Sequence, residues 1–356
     1  NLFADLYNCL FGSLMRAIIY ERTGSPEVLC ATDISTPIPT PDAVLVQVLA
    51  IAVDYVQLHL RRGGSGRVGS HSEPVYGMGH PPWIPGGTAC VEVVEVGKNV
   101  RGISTGERHL IGGLRPGSYV EFGVVPAPSL VNGTPDTPGP TAYPESLSPV
   151  EAAAFNYAPV AYHTLRIAAG LQPDETVLIH AAAGGTGVLA IQLAKQLGAT
   201  VIGVVSNNSK IDAVRALGAD HVINGQVANL SAEVAQFTNG SGVDVVWDPV
   251  GGDIFTTSPE LMAEGGRLVS LGSNSFTGSA QVDFFPFWTK NIRLIGWGGR
   301  SNTEAHAKNI MRTLHKLVAE GKLAPVVSKT YGLENAAVAH AAVESRNPIG
   351  KVVLVP

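Results

Sequence analysis

Charge and cysteine are both scarce in this chain. Asp, Glu, Lys and Arg make up 15% of its 356 residues, and only three cysteines occur, Cys9, Cys30 and Cys90. Three cysteines without a CxxC spacing exclude a disulfide framework and a cysteine-rich zinc site. The compartment this implies is reducing and cytoplasmic. The formal net charge of -5 argues against a nucleic-acid surface. No apolar run reaches the roughly 20 residues of a membrane span. The first fourteen residues, "NLFADLYNCLFGSL", lack the basic start and small-residue cleavage site of a signal peptide. Residues 1–14 are therefore read as an extension or a tag remnant, with the domain pattern starting at Met15.

Glycine (41) and proline (24) are plentiful, as a chain with many turns requires. From Met15 to about Val125 the segments "RAIIY", "AVLVQVLAIAV", "ACVEVVEVG" and "SYVEFGVV" are rich in β-branched residues and bounded by turn formers. They predict an all-β, barrel-like module. Two stretches inside it, 63–85 and 132–144, read as loops.

The pattern changes at Pro149. "SPVEAAAFNYAPVAYHTLRIAAG" predicts a helix with Ser148 as N-cap, Pro149 in the first turn and Glu151 at the positive end. Strands and helices then alternate. "TVLIH", "TVIGVV", "HVIN", "VDVVWDPV", "GRLVSLG" and "IRLIGW" read as strands, with helices over 187–198, "SKIDAVRALG" and 230–239 between them. Continuous apolar strands alternating with helices imply a parallel sheet covered on both faces. Residues 303–321 predict an amphipathic helix. The last segment returns to helix and then strand, and that strand is expected to pair back into the N-terminal module.

"TVLIH" leads into "AAAGGTG", and a helical pattern follows. Strand, tight glycine turn and helix N-terminus are the context a dinucleotide fingerprint needs. Ala182, Gly184 and Gly187 take its three small-residue positions. Small side chains let a pyrophosphate approach the backbone, and the helix N-terminus offers N–H groups and partial positive charge. The bland reading is a glycine-rich turn with no ligand. After the next strand comes Ser206-Asn207-Asn208-Ser209-Lys210. An NAD site usually has an acid there for the ribose 2′-hydroxyl, and none is present. Ser206, Asn207 and Lys210 suit a 2′-phosphate instead, which makes NADPH the preferred cofactor.

These motifs, with "VDVVWDPVGG" and "GGRLVSLG", resemble the medium-chain dehydrogenase/reductase superfamily. Within it they are most similar to the zinc-free quinone oxidoreductase and enoyl reductase branch. The resemblance runs from Met15 to Pro356. It implies an α/β Rossmann nucleotide-binding domain plus a GroES-like β-barrel catalytic domain, with cofactor and substrate sharing the cleft. The expected division is 15–155 and 303–356 for the catalytic domain and 156–302 for the Rossmann domain. A homodimer pairing Rossmann sheets through "NIRLIGW" is also implied. Zinc members carry cysteine, Gly-His-Glu and four-cysteine ligand sets that are absent from the corresponding stretches here, so no metal site is expected.

Carried over residue by residue, the resemblance puts Gly184, Gly185, Thr186 and Gly187 along the pyrophosphate. Lys210 and Arg346 would grip the 2′-phosphate. Pro249–Gly252, including Val250, and Leu271–Ser275, including Gly272, would lie along ribose and nicotinamide, with Asn274 on the carboxamide. A tyrosine common in the branch is replaced by Gly225.

The substrate side would follow "VLAIAV". Relatives have an Asn there, then an aromatic and an Asp; this chain has Asp54, Tyr55 and Gln57, and His59 where many have Tyr. Asp54 and His59 are candidate proton donors or bases. Asp54 reads equally well as the cap of the following helix, and Tyr55 is expected to pack more than to react. Tyr76, Met78, His80 and Trp83 would form a lid, or an ordinary exposed loop. The function implied is an NADPH-dependent reductase of a quinone or α,β-unsaturated carbonyl acting on a small molecule. A specialised tailoring enzyme on the same fold and a non-catalytic NADPH-binding protein are the alternatives.

Overall fold

The computed structural model describes residues 13–63, 82–112, 114–130, 133–134, 137–227, 229–272, 274–276, 279–298 and 304–356. Tyr76, Met78 and His80 lie outside them; Trp83 lies inside, bridged to Tyr20. The chain divides into two compact units.

The first unit opens with β1 (Leu14–Ile19) and β2 (Cys30–Ser35), an antiparallel pair. β3 (Ala43–Ala52) is the long central strand; β4 (Ala89–Val96) and β6 (Phe122–Pro126) flank it, and β5 (Arg108–Ile111) extends β4. β7 (Gly133–Thr134) and β8 (Thr137–Pro138) form a minimal hairpin within the predicted loop. Along β3 the inward residues Val44, Val46 and Val48 are buried while Gln47 faces water, the period-2 pattern of a half-buried strand. The helix Pro149–Phe155 then packs on β3 and β4, closing a core of Ala50, Ala52, Cys90, Ala152 and Ala153.

That helix begins as expected. Ser148 Oγ accepts from the Glu151 amide at 3.3 Å and Glu151 returns a bond to the Ser148 amide at 2.8 Å. It does not run on as one helix. It stops at Phe155, and a second helix covers Ala158–Tyr162 before a π-helical turn at His163–Ala168. Pro159 explains the break, because it has no N–H to donate and its ring crowds the carbonyl four residues back.

The second unit holds β9 (Thr176–Ile179), β10 (Thr200–Val205), β11 (His221–Asn224), β12 (Val243–Asp248), β13 (Met262–Ser270) and β14 (Arg293–Gly296). They form one parallel sheet in the order β11-β10-β9-β12-β13-β14. That is the doubly wound order of a Rossmann fold, with its switch point between β9 and β12. Val177, Leu178, Ile179, Val201, Ile202, Val245, Val246 and Trp247 are all buried, as strands covered on both faces must be.

The division differs from the sequence expectation mainly in the chain's C-terminal third. The helix Glu304–Ala319 and the chain up to Val326 pack with the second unit, not the first. Ile310, Met311 and Leu314 are buried there, and Gln192 exchanges two hydrogen bonds with Ala324. An amphipathic stripe announces that a helix covers something, but not which sheet.

β15 (Val327–Gly332) and β16 (Lys351–Val355) complete the first sheet in the order β15-β16-β3-β4-β5. β16 pairs back into the N-terminal module as expected, and its partner there is β3, with Val353 opposite Ala52. The short stretch Pro348–Lys351 just before belongs to the second unit. No helix among the described residues is long and apolar enough to cross a membrane.

Candidate functional site

The carboxyl ends of β9 and β12 flank the switch point, and the glycine turn lies there. Ala181 adopts φ +49, a left-handed conformation that turns the chain sharply after His180. Its carbonyl accepts from the Gly184 amide at 2.8 Å. The helix Gly187–Gln196 starts at once. A Cβ on Gly187 would sit 2.3 Å from the Ala181 oxygen and 2.7 Å from the Ala182 oxygen, so only glycine fits. Gly184, Gly185, Thr186 and Gly187 are thereby brought together on one bare turn. Thr186 caps the helix without a side-chain bond to it.

The turn has a neighbour that sequence reasoning missed. Gly350 donates to the Ala183 carbonyl at 2.8 Å, laying the Pro348–Lys351 stretch along the turn. Lys351 is 5% exposed; its Nζ lies 4.8 Å from the Tyr157 ring centre and 3.1 Å from where a Gly185 Cβ would be. A cation thus stands beside the glycine turn, seated on an aromatic face. A lysine ahead of an apolar strand carries no sequence signal of such a contact.

At the end of β10, Lys210 is buried and its Nζ donates to Ser206 Oγ at 3.1 Å. Burial lowers the lysine pKa, and an anion placed here would offset the cost of desolvating the charge. Asn207 accepts from the Ser209 hydroxyl at 2.6 Å, and Asn224 donates to Asn208 at 2.8 Å. The loop ends on polar side chains without an acid.

Beyond β12, Asp248 Oδ1 accepts from the amides of Val250 (2.7 Å) and Gly251 (3.0 Å). Gly251 and Gly252 follow at φ +67 and +62, two left-handed residues in succession. Asn274 donates its amide to the Pro249 carbonyl at 3.2 Å and Ser275 to that of Val250 at 2.9 Å. Val250, Gly272 and Asn274 therefore belong to two segments joined at the same edge of the sheet.

The remaining candidates lie in the first unit. Asp54 has the extended backbone of a cap (φ -107, ψ 152) for the helix Tyr55–Arg61, and Gln57 Oε1 accepts its amide at 3.0 Å. Its buried carboxylate also accepts from Asn156 Nδ2, at 3.3 and 3.2 Å to the two oxygens. Tyr55 is half-buried, which raises its pKa, and its hydroxyl hydrogen-bonds Arg346. Arg346 itself sits at φ +57 just past the helix Ala336–Glu344. His59 is partly exposed one turn after Tyr55 on the same helix face. Arg61, fully buried, donates to the Gly24 carbonyl at 2.8 Å and pairs with Glu344, which also takes Arg62 Nε at 2.9 Å. An acid in the last turn of a helix opposes its dipole, and the two arginines compensate it.

Residues 185–320 match the model of a family described as zinc-binding dehydrogenase. A 2-haloacrylate reductase from a Burkholderia species is 30% identical over 352 residues, covering 96% of this chain and 99% of that protein. Quinone oxidoreductase 1 of Escherichia coli K12 is 29% identical over 95% of this chain and 99% of its own. The chain belongs to the medium-chain dehydrogenase/reductase superfamily. Its place is in the quinone oxidoreductase branch. Among solved members, the Escherichia coli quinone oxidoreductase complexed with NADPH superposes with a TM-score of 0.82 at 28% identity, over 96% of this chain and 100% of that one. The Pseudomonas syringae pv. tomato DC3000 quinone oxidoreductase gives 0.81 at 30%, with the same coverage. In this superfamily member the glycine turn, the Lys210–Ser206 pair and the Asp248 turn lie along one edge of the Rossmann sheet. The family description names zinc; among the described residues no group of three or more His, Cys, Asp or Glu could hold a metal ion.

Proposed function

We propose that the protein is an NADPH-dependent, zinc-independent reductase of a quinone or an α,β-unsaturated carbonyl compound, working in the cytoplasm. The observation that carries this reading is the bare turn at Gly184–Gly187, with the buried Lys210–Ser206 pair at the end of the next strand. Gly184, Gly185, Thr186 and Gly187 would hold the pyrophosphate, with Lys351 beside them as a counter-charge. Ser206, Asn207 and Lys210 would hold the 2′-phosphate, and Val250, Gly272 and Asn274 the nicotinamide half. NADPH, when bound, supplies the hydride. The acceptor's proton would come from solvent or from the Asp54–His59 stretch, where Tyr55 is held by Arg346. The test is oxidation of NADPH, followed at the nicotinamide absorbance, with a panel of quinones and enones. No turnover of any of them would overturn the reading.

Lys210 also decides the choice of cofactor. Lys210→Ala should weaken NADPH binding at least about tenfold and leave NADH binding nearly unchanged, since a charge-assisted phosphate contact is worth about 1.5–3 kcal/mol. Dissociation constants for both nucleotides, measured by titration, check this. An equal loss for both would remove Lys210 from the phosphate site.

The reading includes a homodimer. β14 is the edge strand of its sheet, and Phe284, Phe285, Trp288 and Leu294 around it are 50–73% exposed. An unpaired edge beside large exposed apolar side chains is an association surface. Trp288→Glu combined with Leu294→Glu should convert a dimer into a monomer of unchanged fold, as read by light scattering after gel filtration. A parent protein that is itself monomeric would refute the dimer.

A further inference from the structure

Asp54 and Asn156 are the most unusual polar contact in the first unit. The helix ends at Phe155, and Pro159 prevents the next turn from continuing it, so Asn156 stands at the break. Its Nδ2 reaches both oxygens of the Asp54 carboxylate. A carboxylate accepts hydrogen bonds, and this settles which end of the amide faces it. Asn156 Oδ1 therefore points elsewhere, and there it is buried without a hydrogen-bond partner. Leaving an amide oxygen so costs about 1–3 kcal/mol. A native fold tolerates an orphan of that kind where a ligand or water completes it.

One neighbouring group is already paired: the Tyr119 hydroxyl lies 2.9 Å from His340 Nε2. This leaves a polar lining beside Asp54 with one acceptor to spare, the buried Asn156 oxygen. Such a lining selects a ligand that brings its own hydrogen-bond donor.

We propose that Asn156 is an acceptor-recognition residue whose Oδ1 takes a hydrogen bond from a hydroxyl group on the substrate. The protein then prefers hydroxylated quinones or enones to those without a donor. This rests on the reductase reading and on the Asp54 stretch facing the acceptor. Asn156 also positions Asp54, and the two roles separate in the kinetics.

The experiment compares two naphthoquinones that differ only in a distal-ring hydroxyl or its methyl ether. With the wild-type protein and NADPH, kcat/KM should be at least about tenfold higher for the hydroxylated quinone, mainly through KM. In Asn156→Leu that ratio should fall to about one, while the dissociation constant for NADPH stays unchanged. Equal efficiency on the two quinones in the wild-type protein would overturn the proposal, and this comparison needs no variant to fold. So would an unchanged ratio in Asn156→Leu, or a loss of NADPH affinity in it, which would assign the oxygen to the cofactor. Turnover of neither quinone by the wild-type protein, with none on the wider panel, would instead sink the reductase reading itself and carry this proposal with it.

Discussion

Gly187→Val should lower NADPH affinity at least about 100-fold, roughly 2.7 kcal/mol. The reason lies in what a side chain would meet. The nearest atoms to a Cβ at this position are the Ala181 oxygen at 2.3 Å and the Ala182 oxygen at 2.7 Å, both backbone. Backbone cannot swing aside as a side chain can, so the turn itself must open. Opening it displaces Gly184, whose amide is tied to the Ala181 carbonyl, and with it the N-terminus of the helix Gly187–Gln196. The neighbouring glycines provide the internal control. A Cβ on Gly184 meets only the Ala181 oxygen, at 3.1 Å; one on Gly185 meets the flexible end of Lys351. Gly184→Ala and Gly185→Ala should therefore keep the fold and lose no more than about tenfold in affinity. Nucleotide titration with far-UV circular dichroism on the same samples measures both effects. Binding by Gly187→Val within about threefold of the parent would show that the phosphates do not rest on this turn.

That turn was fully legible in the sequence, because its demands are local: a strand, small residues in fixed places and a helical pattern directly after. The Ser148–Glu151 cap was legible for the same reason. So was the return of the last strand to the N-terminal module, since an apolar C-terminal strand needs a partner, but not that β3 receives it. What was hidden depends on contacts between distant parts of the chain. Lys351 reads as any lysine before a strand until Gly350 is seen bonded to Ala183. Asn156 reads as a residue inside a helix, since the apolar period runs through the break and only Pro159 betrays it. The helix Glu304–Ala319 shows its apolar stripe but not the surface that receives it. Arg346 shows a cation at a helix end, and nothing in the chain order says that it faces Tyr55. The strands β2 and β5 escaped because β2 (CATDIS) buries none of its residues and β5 (RHLI) starts on two polar ones, so neither shows the apolar run that marked the other short strands.

Acid should destabilise each unit through buried histidines, one in each carrying the largest share. His340 lies in the first unit and His180 in the second, both essentially unexposed. Each has one ring nitrogen near a hydroxyl, Tyr119 at 2.9 Å and Ser258 at 3.5 Å, and a buried Nδ1 without a partner. Burial favours the neutral ring, pushing His340 down to about 3, with Arg61 adding to the effect, and His180 down to about 4. In the unfolded chain both return to about 6.5. Their folded-state values are depressed, so the stability they allow is full above about pH 6.5. It is lost as pH falls below that, where the unfolded chain takes up protons the folded one refuses. The slope tends to about 1.4 kcal/mol per pH unit for each unit's transition. Paired carboxylates act in a lower window: Glu175, held down by Arg267 against its burial, begins to matter as pH falls through the ordinary glutamate range. The interval from pH 6.5 to 5 therefore isolates the histidines. Urea unfolding at intervals across it should show stability falling by about 1–2 kcal/mol per unit, a large share of the 5–15 kcal/mol typical of a folded domain. His340→Gln, which keeps a polar partner for Tyr119, should lessen the dependence of the first unit, where the buried His109 is also held low and keeps a share, and leave that of the second. A stability that stays level from pH 7 to 5 would mean that these rings are protonated or solvated in the fold, and would undo the argument.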